Sequence, residues 1–445
     1  MRERPILLIA LALVACGDAD PGQDTDDASS TAATTAVDET TSDAATTAAS
    51  TTAGPTGTAS DSDSSTTSVT TSTTAPETSE DPDTETTGDP EPEYDGEPLP
   101  EAPPGEWNWI DFPDARCIDG TKAGIGVRYG LSDKLVIYFE GGGACFNDAT
   151  CGLYYASFAH FDQLIFDLIW QGTVLQGGIF NTKNGDNPLR DWSFIYVPYC
   201  TGDVHAGDSP DTFVPGYVVD EPQQFVGYRN MGAFLERIVP TFVDAPHVLV
   251  TGISAGGFGA AFNYDRIADA FPAAKVTLID DSGPPLTDEY LAPCLAKQWR
   301  ELYNLADTLP ADCDECFAPD GGGIYHLGEF LADKHQGQAL GLISSERDLV
   351  IRTFFGYGMQ EAGGEQCPEG IFELPMNGDH FEEGLYHLRD DIFGDDPAWG
   401  SYLMPGVEHT YIFNPLAYYT KQVNGIRMVD WVENHLAGNT AHVSP

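Results

Sequence analysis

Ser254 stands in a G-x-S-x-G motif over residues 252–256, the spacing of a serine nucleophile in enzymes that cleave acyl bonds. The motif follows the run 247–251, which predicts a buried strand, and precedes a stretch with helical periodicity. Between a strand and a helix, the flanking glycines permit a tight turn that exposes the hydroxyl above the helix N-terminus. A glycine-rich turn with only a structural purpose is the alternative, and the strand-turn-helix context disfavours it.

Backbone N–H groups are expected to complete this site, because attack of a serine on an ester creates a negatively charged oxygen. Ala255, which follows the candidate nucleophile, should supply one of them. The glycine run 141–143 directly follows the predicted strand 135–139 and should supply the others, since glycines let the backbone approach a substrate oxygen closely. A structural glycine-rich turn is again the alternative.

A carboxylate should fix the tautomer of the histidine that takes the proton from the serine. The expected chain order is serine, then acid, then histidine, which restricts the choice. Asp348 is favoured because it lies on a loop after the apolar run 340–343, at the carboxyl end of a predicted strand. Asp280, Asp281 and Glu346 remain rivals, and a surface acid without a catalytic role is the alternative for Asp348.

His409 is the favoured base because it lies in a predicted loop, residues 406–412, before the final helical segment. Four other histidines follow Asp348: His380, His387, His435 and His442. The last two fall in the final helix or the tail, and the first two in an acidic stretch that reads as solvated surface. The acidic cluster at 379–383 could suggest a metal site, but the start of a charged helix is the preferred interpretation.

Short apolar runs alternate with helix-compatible stretches along the chain from residue 105 onward. The runs read as strands buried on both faces, and they are 135–139, 194–197, 248–250, 276–279 and 340–343. The clearest helical stretches are 231–239 and 257–271. This alternation predicts an α/β fold with a doubly wound, mainly parallel sheet of the α/β-hydrolase type. A cysteine-containing stretch from about Pro284 to Gln336 reads as an insertion.

The first 16 residues resemble a bacterial lipoprotein signal peptide. Arg2 and Arg4 precede an apolar run, 6–15, that is too short to span a bilayer and ends at Cys16. The small residues before Cys16 match a lipobox, so we expect lipidation of Cys16 and an exported protein anchored on the bacterial cell envelope, periplasmic or at the cell surface. An ordinary signal peptide with an incidental cysteine is the alternative.

Residues 17–104 form an acidic Thr/Ser-rich stretch with almost no large apolar side chains. Such a segment cannot bury enough apolar surface to offset its chain entropy, so we expect a disordered tether. Residues 105–445 then form one catalytic domain. The formal net charge of −50 argues against binding of nucleic acid through a basic surface.

Nine cysteines fit an oxidising compartment, and eight remain once Cys16 is assigned to the lipid. Four disulfides are then possible, although sequence does not fix their connectivity. Cys145 with Cys151, and Cys117 with Cys200, are suggested pairs. Half a zinc site is a second interpretation of the pair 313 and 316, and the lack of a matching second pair or histidine cluster disfavours it.

Taken together, these motifs resemble the pectin acetylesterase and Notum family of α/β-hydrolase-like carboxylesterases. The resemblance spans most of 115–435, and its carriers are Cys117 to Gly120, Glu140 to Cys145, Asn187-Pro188 with Trp192, Tyr199 to Asp203 with Gly207-Asp208, Gly252 to Gly257, Asp281 to Gly283, and Gly406 to Thr410. This combination is more specific than the serine motif alone.

The resemblance implies a triad and an oxyanion hole. The triad would be Ser254, Asp348 and His409, and the oxyanion hole would use the backbone of Gly142, Gly143 and Ala255. Two departures stand out. The plant enzymes carry tryptophan at the position of Ala144 and cysteine at that of Thr410. The first change alters the wall of the acyl pocket, so the substrate does not transfer directly from the named relatives.

The leading hypothesis is hydrolysis of O-acyl esters, with acetyl preferred, through an acyl-enzyme and without a cofactor or metal. The substrate would be a small-molecule or polysaccharide ester, and the membrane would be contacted only through the lipid anchor. Hydrolysis of a lipid ester or a thioester on the same triad is an alternative. A non-catalytic surface binding protein with the same fold is another, and the complete set of nucleophile, acid and base disfavours it.

Overall fold

The central sheet is assembled from strands that the apolar runs predict, together with others that they do not. A computed structural model describes residues 94–153, 158–170, 174–214, 216–217, 221–318, 321–359, 367 and 374–445. Within these residues the strands are β1 Trp107–Arg116, β2 Lys122–Arg128, β3 Leu135–Phe139, β4 Ser193–Val197, β5 Ser209–Thr212, β6 Gln223–Phe225, β7 His247–Ile253, β8 Lys275–Asp281, β9 Ala339–Ser345, β10 Trp399–Met404, β11 Gln422–Val423, β12 Ile426–Arg427 and β13 His442–Val443.

Nine of the described strands pair in the order β1-β2-β4-β3-β7-β8-β9-β10-β13. All neighbours from β4 to β13 run parallel, whereas β1 and β2 are antiparallel to each other and β2 is antiparallel to β4. Two further pairs, β5 with β6 and β11 with β12, form small separate sheets. The parallel arrangement brings the carboxyl ends of β3, β7, β8, β9 and β10 to one edge.

The parallel strands are buried along their whole length or nearly so. Every residue of β3, β4, β9 and β10 is buried, as expected for strands covered by helices on both faces. This explains why continuous apolar runs, rather than alternating ones, predict β3, β4 and β9. The sequence prediction missed β10, in which Gly400 and Ser401 interrupt the apolar residues. The predicted fold class, a mainly parallel α/β-hydrolase-like sheet, is confirmed.

Helices pack on this sheet. Those in the described residues are α1 Asp148–Leu153, α2 Gln163–Ile165, α3 Gly227–Thr241, α4 Ala255–Ala270, α5 Pro293–Leu302, α6 Leu327–Lys334, α7 Leu349–Phe355, α8 Gly378–His387, α9 Ala417–Thr420 and α10 Met428–Leu436. The two helical stretches predicted most clearly correspond to α3 and α4. The stretch from Pro284 to Gln336, expected as an insertion, contains α5, α6 and short 3-10 turns between β8 and β9. Among the described helices, none combines the length and apolar character that crossing a membrane requires.

Four disulfides cross-link the domain: Cys117–Cys200, Cys145–Cys151, Cys294–Cys367 and Cys313–Cys316. The first two are the pairs suggested from the sequence. Because Cys313 and Cys316 are bonded to each other, their sulfurs are not available as zinc ligands. Cys16 and the signal segment lie outside the described residues.

The folded domain begins before Gly105, because residues 94–104 lie against α3. The backbone N–H of Leu99 donates to the hydroxyl of Thr241 at 2.7 Å, and the guanidinium of Arg237 donates to the carbonyl of Glu97 at 2.8 Å. The Leu99 side chain is buried in the core. The end of the segment expected to be a disordered tether is therefore part of the domain, held by the Leu99 and Tyr94 side chains and by these hydrogen bonds. Residues 17–93 lie outside the description.

We expect Leu99→Ala to lower the free energy of unfolding by about 2–3 kcal/mol, since it removes buried methyl groups and leaves a cavity. Leu131→Ala is the matched control, because Leu131 is 80% exposed, and it should change stability by less than about 0.5 kcal/mol. Chemical denaturation of both variants measures the difference. Equal stability of the two variants would contradict docking of this segment.

Candidate active site

Ser254 occupies a strained turn between β7 and α4, with φ 54° and ψ −123°. The turn is tight enough that a Cβ on Gly252 would lie 2.1 Å from the carbonyl oxygen of Gly256, and a Cβ on Gly256 would lie 2.1 Å from that of Phe139. Glycine is therefore required at both positions of the motif. The Ser254 N–H donates to the carbonyl of Asp281 at 2.7 Å, which fixes the turn against the end of β8.

The glycine loop after β3 lies beside this turn, because β3 and β7 are neighbours and Phe139 pairs with Gly252. The Ser254 hydroxyl donates to the carbonyl of Gly142 at 3.4 Å. Within the described residues, the backbone N–H groups of Gly142, Gly143 and Ala255 make no hydrogen bond. The structure therefore brings the three N–H groups close to the candidate nucleophile, and none of the three donates to an acceptor in the described residues.

Asp348 and His409 form a hydrogen-bonded pair: Nδ1 of His409 lies 2.7 Å from Oδ2 of Asp348. Asp348 is fully buried, and His409 is mostly so. Since a carboxylate can only accept, Nδ1 carries the proton and Nε2 is left as the basic nitrogen. Each residue lies on a loop that leaves the carboxyl end of its strand, β9 for Asp348 and β10 for His409.

The second oxygen of Asp348 caps helix α7. Oδ1 accepts the N–H groups of Val350 at 2.9 Å and Ile351 at 3.0 Å. The loop that carries His409 is joined to the same helix start, because the N–H of Leu349 donates to the carbonyl of Val407 at 3.2 Å. The carboxylate is thus held by the helix on one side and presents its other oxygen to the imidazole.

The structure places the rival acids elsewhere. Glu346 accepts the hydroxyl of Tyr386, and Asp280 accepts the N–H of Gly283 at 2.8 Å. Asp281 is fully buried and binds backbone N–H groups of residues 411 and 412 rather than the imidazole. Burial raises the pKa of Asp280 well above its usual value and that of Asp281 to about 6.

The rival histidines also lie in other environments. His435 is buried in α10, where burial lowers its pKa to about 4, and His442 lies in β13. His380 and His387 belong to α8, whose N-cap is Asn377. The acidic cluster at 379–383 is therefore the start of a charged helix, as predicted.

The contact between Ser254 and His409 is not closed. Within the described residues no hydrogen bond joins the hydroxyl to the imidazole, since the hydroxyl is directed at Gly142. Catalytic hydrogen bonds are often long or open without substrate, and a rotation about χ1 of the serine redirects its hydroxyl. The structure thus has a hydrogen-bonded acid–histidine pair and a strained serine turn at the same edge of the sheet.

His205 and Glu140 support the glycine loop, and sequence reasoning did not identify them. Nε2 of His205 donates to the backbone carbonyl of Glu140 at 2.9 Å, and the Glu140 carboxylate accepts the N–H of Tyr199 at 2.8 Å. Burial lowers the pKa of His205 to about 4, so the ring is neutral at neutral pH. The signal in the sequence was their position: Glu140 begins the motif 140–145, and His205 lies two residues after the motif 199–203.

Comparisons with known proteins identify similar sequences for part of the chain. The pectinacetylesterase family model matches residues 110–317, which contain the glycine loop and Ser254 but not Asp348 or His409. The chain is 30% identical to palmitoleoyl-protein carboxylesterase notum1 of Xenopus laevis over 176 residues, covering 38% of this chain and 34% of that protein. It is 28% identical to palmitoleoyl-protein carboxylesterase NOTUM of Homo sapiens, with the same coverage. These alignments span about one third of the relatives' length.

A solved structure extends the likeness to the whole fold. The structure of the Wnt deacylase Notum from Drosophila superimposes with a TM-score of 0.52 at 18% identity, covering 75% of this chain and 94% of that one. At this identity the likeness concerns the fold alone.

Because one oxygen of Asp348 caps α7 and the other binds His409, we expect two variants at this position to differ in their free energy of unfolding. Asp348→Asn should keep the cap of α7, because its amide oxygen can accept the same N–H groups, whereas Asp348→Ala should lose about 1 kcal/mol of unfolding free energy from the missing cap. Denaturant unfolding of both variants measures the difference. A Val350→Ala variant, which keeps the cap, is the control, and a cap-free Asp348→Ala protein as stable as Asp348→Asn would contradict the arrangement.

Proposed function

Because the chain belongs to the pectin acetylesterase and Notum family, we propose that it is a serine carboxylesterase that hydrolyses O-acyl esters. Ser254 is the nucleophile, His409 the base and Asp348 the residue that orients the base. The observation that carries this proposal is the Asp348–His409 hydrogen bond of 2.7 Å at the same sheet edge as the strained Ser254 turn.

In the proposed reaction the serine hydroxyl turns from the Gly142 carbonyl to Nε2 of His409. Its oxygen bonds to the ester carbonyl carbon while the imidazole takes the proton, and the N–H groups of Gly142, Gly143 and Ala255 donate to the resulting oxyanion. The bond to the alcohol then breaks, and the imidazolium returns the proton to the departing oxygen. Water attacks the acyl-enzyme by the same route, releasing the carboxylic acid and restoring Ser254.

The favoured substrates are acetyl or other short acyl esters, with a polysaccharide as the acceptor. The match to the pectinacetylesterase family model supports this choice. Four aromatic residues follow the glycine loop in the sequence and are candidates to fill the space beside Ala144: Tyr154, Tyr155, Phe158 and Phe161. Tyr154 and Tyr155 lie outside the described residues. Phe161 stacks on Trp109 at 5.6 Å, within the core.

A lipid ester is the second candidate, and two observations favour it. Ala144 leaves the end of the glycine loop without a large side chain. An apolar cavity adjoins the first turn of α4, and it is lined by Phe258, Leu286, Leu295, Trp299 and Phe355 among others. The relatives named as palmitoleoyl-protein carboxylesterases act on such an ester, which makes the comparison of acyl lengths informative.

We further propose that the protein is exported and anchored on a bacterial cell envelope through a lipid on Cys16. The four disulfides of the domain support an oxidising compartment. The formal net charge of −50 supports the proposal that it does not bind nucleic acid.

Ser254→Ala should abolish ester hydrolysis and labelling by a fluorophosphonate probe, because the substitution removes the oxygen that attacks the ester and forms the acyl-enzyme. The fold should persist, since the hydroxyl makes one weak hydrogen bond. Thermal unfolding and steady-state rates measure both effects. Ser132→Ala is the control and should retain labelling, because Ser132 lies before β3, at the opposite end of that strand from the glycine loop. A Ser254→Ala protein with more than a few per cent of the parent rate would overturn the assignment.

The acyl preference can be read from acetyl, butyryl and octanoyl esters of one leaving group. Each buried methylene contributes about 0.8 kcal/mol, so a long-chain pocket should raise kcat/KM several-fold per carbon until it is full. We expect a flat or falling series. A steep rise to octanoyl would instead identify the lipid ester as the substrate, and widening Ala144→Gly or filling Ala144→Trp should then move the optimum in opposite directions.

A further inference from the structure

Asp281 ends strand β8 between the strand that leads to the serine and the strand that leads to the acid. It is fully buried. Its Oδ2 accepts the N–H groups of Tyr411 at 2.6 Å and Ile412 at 2.8 Å, and its Oδ1 accepts the hydroxyl of Ser282 at 3.0 Å. A carboxylate in the interior is costly unless it is hydrogen-bonded in this way.

The same residue also holds the serine turn, through its backbone. The carbonyl of Asp281 accepts the N–H of Ser254 at 2.7 Å. Asp281 therefore binds the backbone of Ser254 and also the backbone of Tyr411 and Ile412, close after His409. Thr410, between His409 and this anchor, has φ 63°, a conformation that a threonine adopts only where its surroundings hold it there.

We propose that Asp281 is a positioning residue that sets the distance between the His409 imidazole and the Ser254 hydroxyl. This inference rests on the proposed function, since it assumes that the two side chains react together. Asp348 fixes which way the imidazole points, through Nδ1. Asp281 fixes the position of the His409 loop relative to the serine turn, because it binds the backbone N–H groups of Tyr411 and Ile412.

Asp281 does not act as a second acid for the imidazole. Its Oδ2 already accepts two backbone N–H groups, and the Nδ1 proton of His409 is bound by Asp348. Without the carboxylate, the N–H groups of Tyr411 and Ile412 would be buried without partners. Because buried N–H groups without acceptors are costly, we expect the loop to move until they bind water or another acceptor, and this movement would carry His409 away from the serine.

The test is a double-mutant cycle on the full chain. Asp281→Ala removes the anchor and should lower kcat by about 100-fold with little change in KM, because a displacement near 1 Å costs about that much. Asp281→Asn is isosteric, keeps an acceptor for the loop and can donate to Ser282, so it should stay within about tenfold of the parent. Asp280→Asn, which changes the buried neighbour that binds Gly283, is the matched control and should leave kcat within about threefold.

The cycle separates positioning from a general loss of structure. In a His409→Ala background the residual rate does not use the imidazole, so adding Asp281→Ala should change it by less than about twofold. If Asp281→Ala lowers that residual rate as much as it lowers the parent rate, the residue supports the fold or the serine turn and the inference is overturned. It is also overturned if Asp281→Ala equals the parent in kcat.

Two further measurements keep the outcomes distinct. Where Asp281→Ala gives no cooperative thermal transition, Asp281→Ser replaces it, because the shorter side chain cannot reach both N–H groups; the same cycle then decides. Failure of the proposed function has a different signature: the parent chain is neither labelled at Ser254 by the fluorophosphonate nor active on any acyl ester. A parent that is labelled, with unchanged Asp281 variants, overturns this inference alone.

Discussion

The close approach of two backbone turns is the constraint on which the rest of the site depends. The loop after β3 and the turn after β7 meet because the two strands are parallel neighbours in fixed register, with Phe139 opposite Gly252. There is room for this contact only without side chains, since a Cβ on Gly256 would lie 2.1 Å from the Phe139 carbonyl oxygen. This packing of the two backbones brings the N–H groups of Gly142, Gly143 and Ala255 close to the serine hydroxyl.

The serine turn is the half of the site that a sequence can predict more firmly than the acid and the histidine, for a physical reason. A G-x-S-x-G after an apolar run specifies a local turn, whose geometry depends on adjacent residues. The choice of Asp348 over Asp281 depends on strands far apart in the chain. Both acids follow buried strands, and only the tertiary arrangement shows that one faces the imidazole and the other faces backbone N–H groups.

Patterning likewise predicted β3, β4, β7, β8 and β9, but it missed β10, whose apolar residues are interrupted by Gly400 and Ser401, and the edges of the sheet. β1 and β2 carry polar and apolar residues in mixed order, and β13 has only two residues, so none of them produces a continuous apolar run. Leu99 and Tyr94 dock a segment that is otherwise polar, and two apolar side chains are too few for a compositional argument to detect. His205 was missed because its role depends on a bond to a backbone carbonyl 65 residues earlier in the chain.

Two of the disulfides lie beside the glycine loop and its supporting residues, and they close chain segments of very different length. Cys145 directly follows the glycine loop and pairs with Cys151 only six residues later, whereas Cys200, next to the tyrosine that binds Glu140, pairs with Cys117 across 83 residues. A short loop closes with little entropy cost, while the longer closure waits until the sheet has brought its ends together. The short cross-link therefore needs only its own segment to be folded, whereas the long one joins the residue after β1 to the loop after β4 and needs the assembled sheet.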